Sequence, residues 1–117
     1  MTTEASLQAL LAPLAAGGCW PMVNTSSTVV HPYIVFYEIV GLPEVVLDGY
    51  AGLTAKRFQI DCFAKSYGQA KALAKSVRGA LAGSSMANVM LSEMDGQFNE
   101  VVKDYQVITE FTIWSED

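Results

Sequence analysis

The sequence predicts an α+β domain: an antiparallel β-sheet with two helices packed on one face and a long β-hairpin arm. Three observations lead there. Residues 56–81, KRFQIDCFAKSYGQAKALAKSVRGAL, run an alternating strand through a short corner into an amphipathic helix. The other strand-like runs are joined by turn-rich links rather than by helical crossovers, which favours antiparallel pairing. Between two of those runs lies an apolar segment too long for a tight turn, residues 41–53, GLPEVVLDGYAGL.

The chain opens with a helical stripe, Leu7, Leu10, Leu11 and Leu14, which Pro13 disturbs and Gly17 and Gly18 stop. Such a short helix is marginal alone and must dock on the sheet. Residues 19–23 suit a brief edge strand, because Pro21 lacks a donor N–H. A polar loop, NTSST, follows at residues 24–28. Residues 33–40, YIVFYEIV, carry the strongest strand signal, with Glu38 interrupting the apolar run as a surface carboxylate. Pro32 restricts His31 to extended backbone at the strand entry.

The arm then carries Leu42, Val45, Val46, Leu47, Tyr50 and Leu53 around a turn at Asp48 and Gly49. A monomer with that arm extended would expose those side chains, so two readings stand: it folds back over its own core, or it reaches a neighbouring subunit. In the next strand Phe58, Ile60 and Cys62 fall on one face and Arg57, Gln59 and Asp61 on the other. Ser66 and Gln69 have capping-box spacing, Ala70, Leu73, Ala74, Val77 and Leu81 recur on one helical face, and Gly83 is placed to end the helix. A strand at 88–94, a long connection, DGQFNEVVKDY, and an alternating strand at 105–114 complete the order. The length of the last strand suits the interior of the sheet. Trp20 and Trp114 have core packing as their default role.

A chain of 117 residues without repeat or linker forms one domain, 1–117, with room for a hydrophobic core. Its composition is 51% hydrophobic and only 16% charged. Globular domains average about 25% charged residues, so part of the apolar excess is expected on a surface that a partner covers. The net charge of −5, with scattered basic residues, argues against a general nucleic-acid binder. Thr2, Thr3 and Glu4 replace the basic start of a secretory leader, and no apolar run approaches the ~18 residues of a membrane span. A cytoplasmic protein with two reduced thiols, Cys19 and Cys62, and no membrane contact is the expectation.

Catalytic and metal chemistry find little support in these residues. Two cysteines without CxxC or zinc spacing and one histidine do not make a ligand set. His31 stands in a loop with no nucleophile or acid beside it in sequence, and a solvated side chain is the default. The acidic residues are dispersed, and Asp48, Asp95, Glu100 and Asp104 belong to turn-like segments. No glycine-rich phosphate motif or nucleophile elbow is present. A non-enzymatic protein without cofactor or metal is expected.

Pro32-Tyr33-Ile34-Val35-Phe36, then Leu47-Asp48-Gly49 and Gly52-Leu53, then FQIDCFAKSYGQAKALAKSVRGAL resemble the small tail-completion, or tail-terminator, proteins of long-tailed bacteriophages and prophages. Phe111-Thr112-Ile113-Trp114 closes the pattern, which covers nearly the whole chain. The resemblance implies a structural virion protein that forms a homo-oligomeric ring, hexameric in similar proteins, at the head-proximal end of the tail tube. Such a ring stops tube polymerisation and provides the head–tail joining surface. Its partners would be further copies of itself, the tail-tube protein and the head connector or stopper, with DNA passing through the channel without specific binding. It would be found in the virion at the head–tail junction, and in the host cytoplasm during assembly.

By that analogy the arm residues Leu42, Val45, Val46, Leu47, Asp48, Tyr50 and Leu53, with Phe98 in the second loop, are candidates for the subunit or tail-tube interface. Asp95, Glu100 and Asp104 are candidates for an acidic channel wall that repels passing DNA. The competing reading is a soluble α+β dimer that binds a small molecule between sheet and helix.

Overall fold

The computed structural model describes residues 3–25, 27–39, 54–101 and 103–115. Helix α1 (Thr3–Leu11) runs into a single 3-10 turn at Ala12–Leu14, where Pro13 removes a donor. Strands β1 (Cys19–Pro21), β2 (Tyr33–Glu38) and β3 (Thr54–Ala64) follow, then helix α2 (Tyr67–Ala82) and strands β4 (Ala87–Asp95) and β5 (Tyr105–Ser115). They form one five-stranded sheet in the order β1-β2-β3-β5-β4.

The sheet is mostly antiparallel, as expected, with one departure. β1 pairs parallel to β2, Cys19 opposite Ile34 and Pro21 opposite Phe36. Residues 22–32 carry the chain back to the level at which β1 began, so the second strand enters in the same direction. Gly17 secures that return: its N–H donates to Pro32 O at 2.7 Å, and a Cβ there would lie 1.8 Å from Val30 O. Only glycine permits so close a backbone approach.

Residues opposite one another in the ladder share a face, and the register sorts the sheet into two sides. Ile34, Cys62 and Val107 form one row, Phe36, Ile60 and Thr109 the next, Phe58 and Phe111 the third, all facing the helices. Against them α2 places Ala70, Leu73, Ala74, Val77 and Leu81, and α1 places Leu7 and Leu11, all buried. The layer between sheet and helices, where the ligand of a small-molecule binder would sit, is occupied by these side chains. Each large one contributes about 1.5–3 kcal/mol on burial. Thr109, the polar member of an apolar row, donates its hydroxyl to Ile60 O at 2.9 Å.

Ser66 caps α2, its Oγ accepting from Gln69 N–H at 3.2 Å. At the other end Gly83 keeps right-handed backbone, and the carbonyl of Leu81 is taken by Ser84 Oγ at 2.8 Å and Asn88 Nδ2 at 2.9 Å. The helix therefore stops on side-chain donors from the segment leading into β4.

On the opposite face of the sheet Asp61 is only 5% exposed, contrary to the solvated role its place in the alternation suggests. Gln59 Nε2 donates to one of its oxygens at 3.0 Å and Gln106 Nε2 to the other at 3.1 Å. Burial nonetheless outweighs those bonds and raises its pKa above the ordinary carboxylate value. A raised acid penalises folding while it stays ionised, and the penalty fades as the pH falls through its folded pKa. Asp61→Asn is accordingly expected to equal or exceed the wild type at pH 7, by up to about 1 kcal/mol, with Gln106 turning its amide to accept. Urea melts should show that difference shrinking towards pH 4; a variant weaker than wild type at pH 7 would contradict it.

Candidate functional site

The connection between β4 and β5 is braced by hydrogen bonds at Gly96, Asn99, Val101 and Asp104. Gly96 N–H donates to Gln106 O at 2.7 Å, and Asn99 and Asp104 exchange backbone bonds at 2.9 and 3.3 Å. Asn99 Oδ1 accepts from Val101 N–H at 2.9 Å, an Asx turn, and Lys103 takes left-handed backbone with φ 54°. Inside this frame Asp104 is 1% exposed, and His31 Nε2 meets its Oδ2 at 2.9 Å. The expectation of a solvated histidine is therefore overturned: its carboxylate partner lies 73 residues away in sequence. Tyr33 lies beside the pair, its ring 5.2 Å from His31 and stacked on Phe63 at 4.7 Å. Burial first, and then the charge of Asp104, push the Tyr33 hydroxyl pKa up.

The acidic trio does not form one wall. Asp104 is a correction to the proposed channel set, because its carboxylate is buried within the protomer and engaged by His31. Asp95 is half-exposed, 3.0 Å from Lys71 Nζ, and it accepts from the Tyr67 hydroxyl. The Lys71 hydrogen bond, then that of Tyr67, lowers the Asp95 pKa, while Asp95 and then Glu93 raise that of Lys71. Glu100 alone stands exposed on the loop, with no ion pair to another of the described residues. Phe98 is 43% exposed, resting one side on Tyr105 at 4.8 Å.

The remaining interface candidates, Leu42, Val45, Val46, Leu47, Asp48, Tyr50 and Leu53, lie outside the described residues. Their point of attachment is clear from the ladder. Ile39 N–H still donates to Arg57 O at 2.8 Å, and β3 begins at Thr54 opposite Ser115. The segment therefore leaves from one end of the sheet, and the 96–104 loop stands at the other, where Phe63 pairs Gln106.

A surface not anticipated from sequence is the free edge formed by β4. Val89, Met90, Leu91 and Met94 are all exposed there, and an extra residue between Met90 and Ser92 bends the strand. Between this edge and the end of α2 lies an open groove of about 440 Å³ that Arg78, Met86, Val89, Met90 and Phe111 help to line. The apolar run Val89-Met90-Leu91 could identify the strand, but its position at the edge depends on how the other strands pair. The thiols of Cys19 and Cys62 are buried and free, and burial pushes both pKa values up to about 12, which keeps them protonated at neutral pH. Among the described residues no group of three or more His, Cys, Asp or Glu could hold a metal ion, and no helix is long and apolar enough to cross a membrane. What the arrangement offers is contact surface: a stiff loop, an apolar edge and a groove.

Comparison with known proteins bears on what those surfaces meet. The family model described as Tail completion protein gp17 matches residues 3–112. Among solved structures, a chain described as "Virion of native gene transfer agent (GTA) particle" is similar, with a TM-score of 0.58 at 20% identity over 98% of this chain and 87% of that one. At that identity the likeness establishes the fold alone. No curated protein matches the chain in sequence.

Proposed function

We propose, from the premise that this chain belongs to the tail completion protein gp17 family and is a structural component of a phage tail, that it forms a ring at the head-proximal end of the tail tube. The ring stops tube polymerisation and presents the surface that the head connector joins. The observation that carries this reading is the family match along residues 3–112. Low charge content, an apolar sheet edge and a stiffened loop support it, because each suits a protein that works by being covered. Subunit contacts in such a ring are heterologous and close by rotation, with six copies as the family resemblance suggests.

The apolar segment 42–53 contacts a neighbouring subunit or the tube, and DNA passes the ring without specific binding, in keeping with a net charge of −5. Asp104, being buried, takes no part in an acidic channel wall. Particles produced without this chain should show tails of uncontrolled length and unjoined heads by electron microscopy. Leu47→Asp supplied in its place should give folded protein that restores far fewer joined particles. Normal joined particles in the absence of the chain would end this reading.

A further inference from the structure

We propose that the 96–104 loop docks into the groove beside the β4 edge of a second copy of this chain, with Glu100 meeting Arg78 and Val101 entering the apolar hollow. The inference rests on the ring reading above and names the surfaces that would make the ring.

The loop presents an exposed apolar tip. Val101 is 92% exposed at its tip, and Phe98 is 43% exposed nearby. A single exposed valine is ordinary on any protein surface. This one stands on a frame held by an Asx turn, a two-bond bridge between Asn99 and Asp104, and the buried contact of Asp104 with His31. A loop already ordered before binding loses less conformational entropy on association.

The groove beside the β4 edge offers a hollow of matching chemistry. Met86, Val89, Met90 and the edge of Phe111 give it an apolar lining, and Arg78 stands at its side. Arg78 has only a long contact of 3.5 Å to Glu93, so most of its five guanidinium donors are available to an incoming carboxylate. The loop brings the complementary sign, because Glu100 makes no ion pair within the described protomer. Charge and apolar surface therefore match side by side.

Position selects a second copy as the occupant. The groove lies at Asn88, Val89 and Met90, whereas the loop begins after Asp95 at the far end of the same strand. That separation is roughly 20 Å at about 3.3 Å per residue, so the loop of one copy does not reach its own groove. Each copy presents both surfaces, and the contact is heterologous, the class that generates rings when the rotation closes. Glu100 is thereby assigned to a subunit contact rather than to a channel wall.

Charge exchange tests the pairing. Sedimentation velocity on the purified full chain should show association that Arg78→Glu or Glu100→Arg each weakens by about tenfold, and that the double variant returns to near the wild-type level. Val101→Asp should weaken association with an unchanged far-UV circular dichroism spectrum, since the side chain is exposed. A double variant as weak as either single, or a Val101→Asp chain that associates like the wild type, would overturn the proposal. A wild-type chain that stays monomeric at every concentration would overturn it too, whereas the tail role is judged separately by the particle experiment.

Discussion

Leu73→Asp is expected to leave the chain unfolded at 25 °C. Leu73 sits in the middle of the buried face of α2, 5% exposed, flanked on that face by Ala70, Ala74 and Val77. Replacing it removes an apolar side chain worth about 2–5 kcal/mol in such a site. It also buries a carboxylate, and no basic side chain belongs to the cluster it would enter. Together these losses match the 5–15 kcal/mol that typically separates folded from unfolded domains. Ala72→Asp, on the exposed face one residue away, is the control and should cost only about 0.7 kcal/mol of helix propensity. Far-UV circular dichroism and urea melts decide the matter. A cooperative Leu73→Asp transition within 1 kcal/mol of the control would mean that α2 is not seated on the sheet as described.

The second large effect is expected at His31. In His31→Ala the Asp104 carboxylate loses its hydrogen-bond partner while remaining 1% exposed, and leaving a buried acceptor unsatisfied in this way costs about 1–3 kcal/mol. The loss should be local before it is global. The pair ties the segment after the NTSST loop to the 96–104 connection, so amide hydrogen exchange in 97–104 should accelerate while α2 stays protected. His31→Gln keeps a donor of similar reach and should recover part of the stability. A loss below 1 kcal/mol in His31→Ala, or unchanged exchange in the loop, would show that water replaces the histidine. Weakened self-association in the same variant would further support the loop as a docking element.

Much of the fold is legible in the sequence for a local reason. The alternation of Phe58, Ile60 and Cys62, the α2 stripe from Ala70 to Leu81 and the Ser66 cap involve residues a few positions apart, whose spacing is set by backbone geometry. The candidate site was legible only in part. Phe98 and Asp104 belong to the same loop, yet Phe98 is exposed and Asp104 is buried. Nothing near Asp104 in the chain distinguishes it from Glu100; the difference is His31, brought to it across β3 by the return that Gly17 secures.

The sequence by itself determined an α+β domain, the helix and strand positions, the core face of each, and a family whose pattern is structural rather than catalytic. Tertiary structure decided the parallel pairing of β1, the burial of Asp61 and Asp104, the histidine's partner, and the exposure of β4 as an edge with a groove beside it. The division follows from range. Periodicity and capping are read within a turn or two of the chain, whereas strand order and charge pairing depend on contacts between residues tens of positions apart, which only the closed sheet brings together.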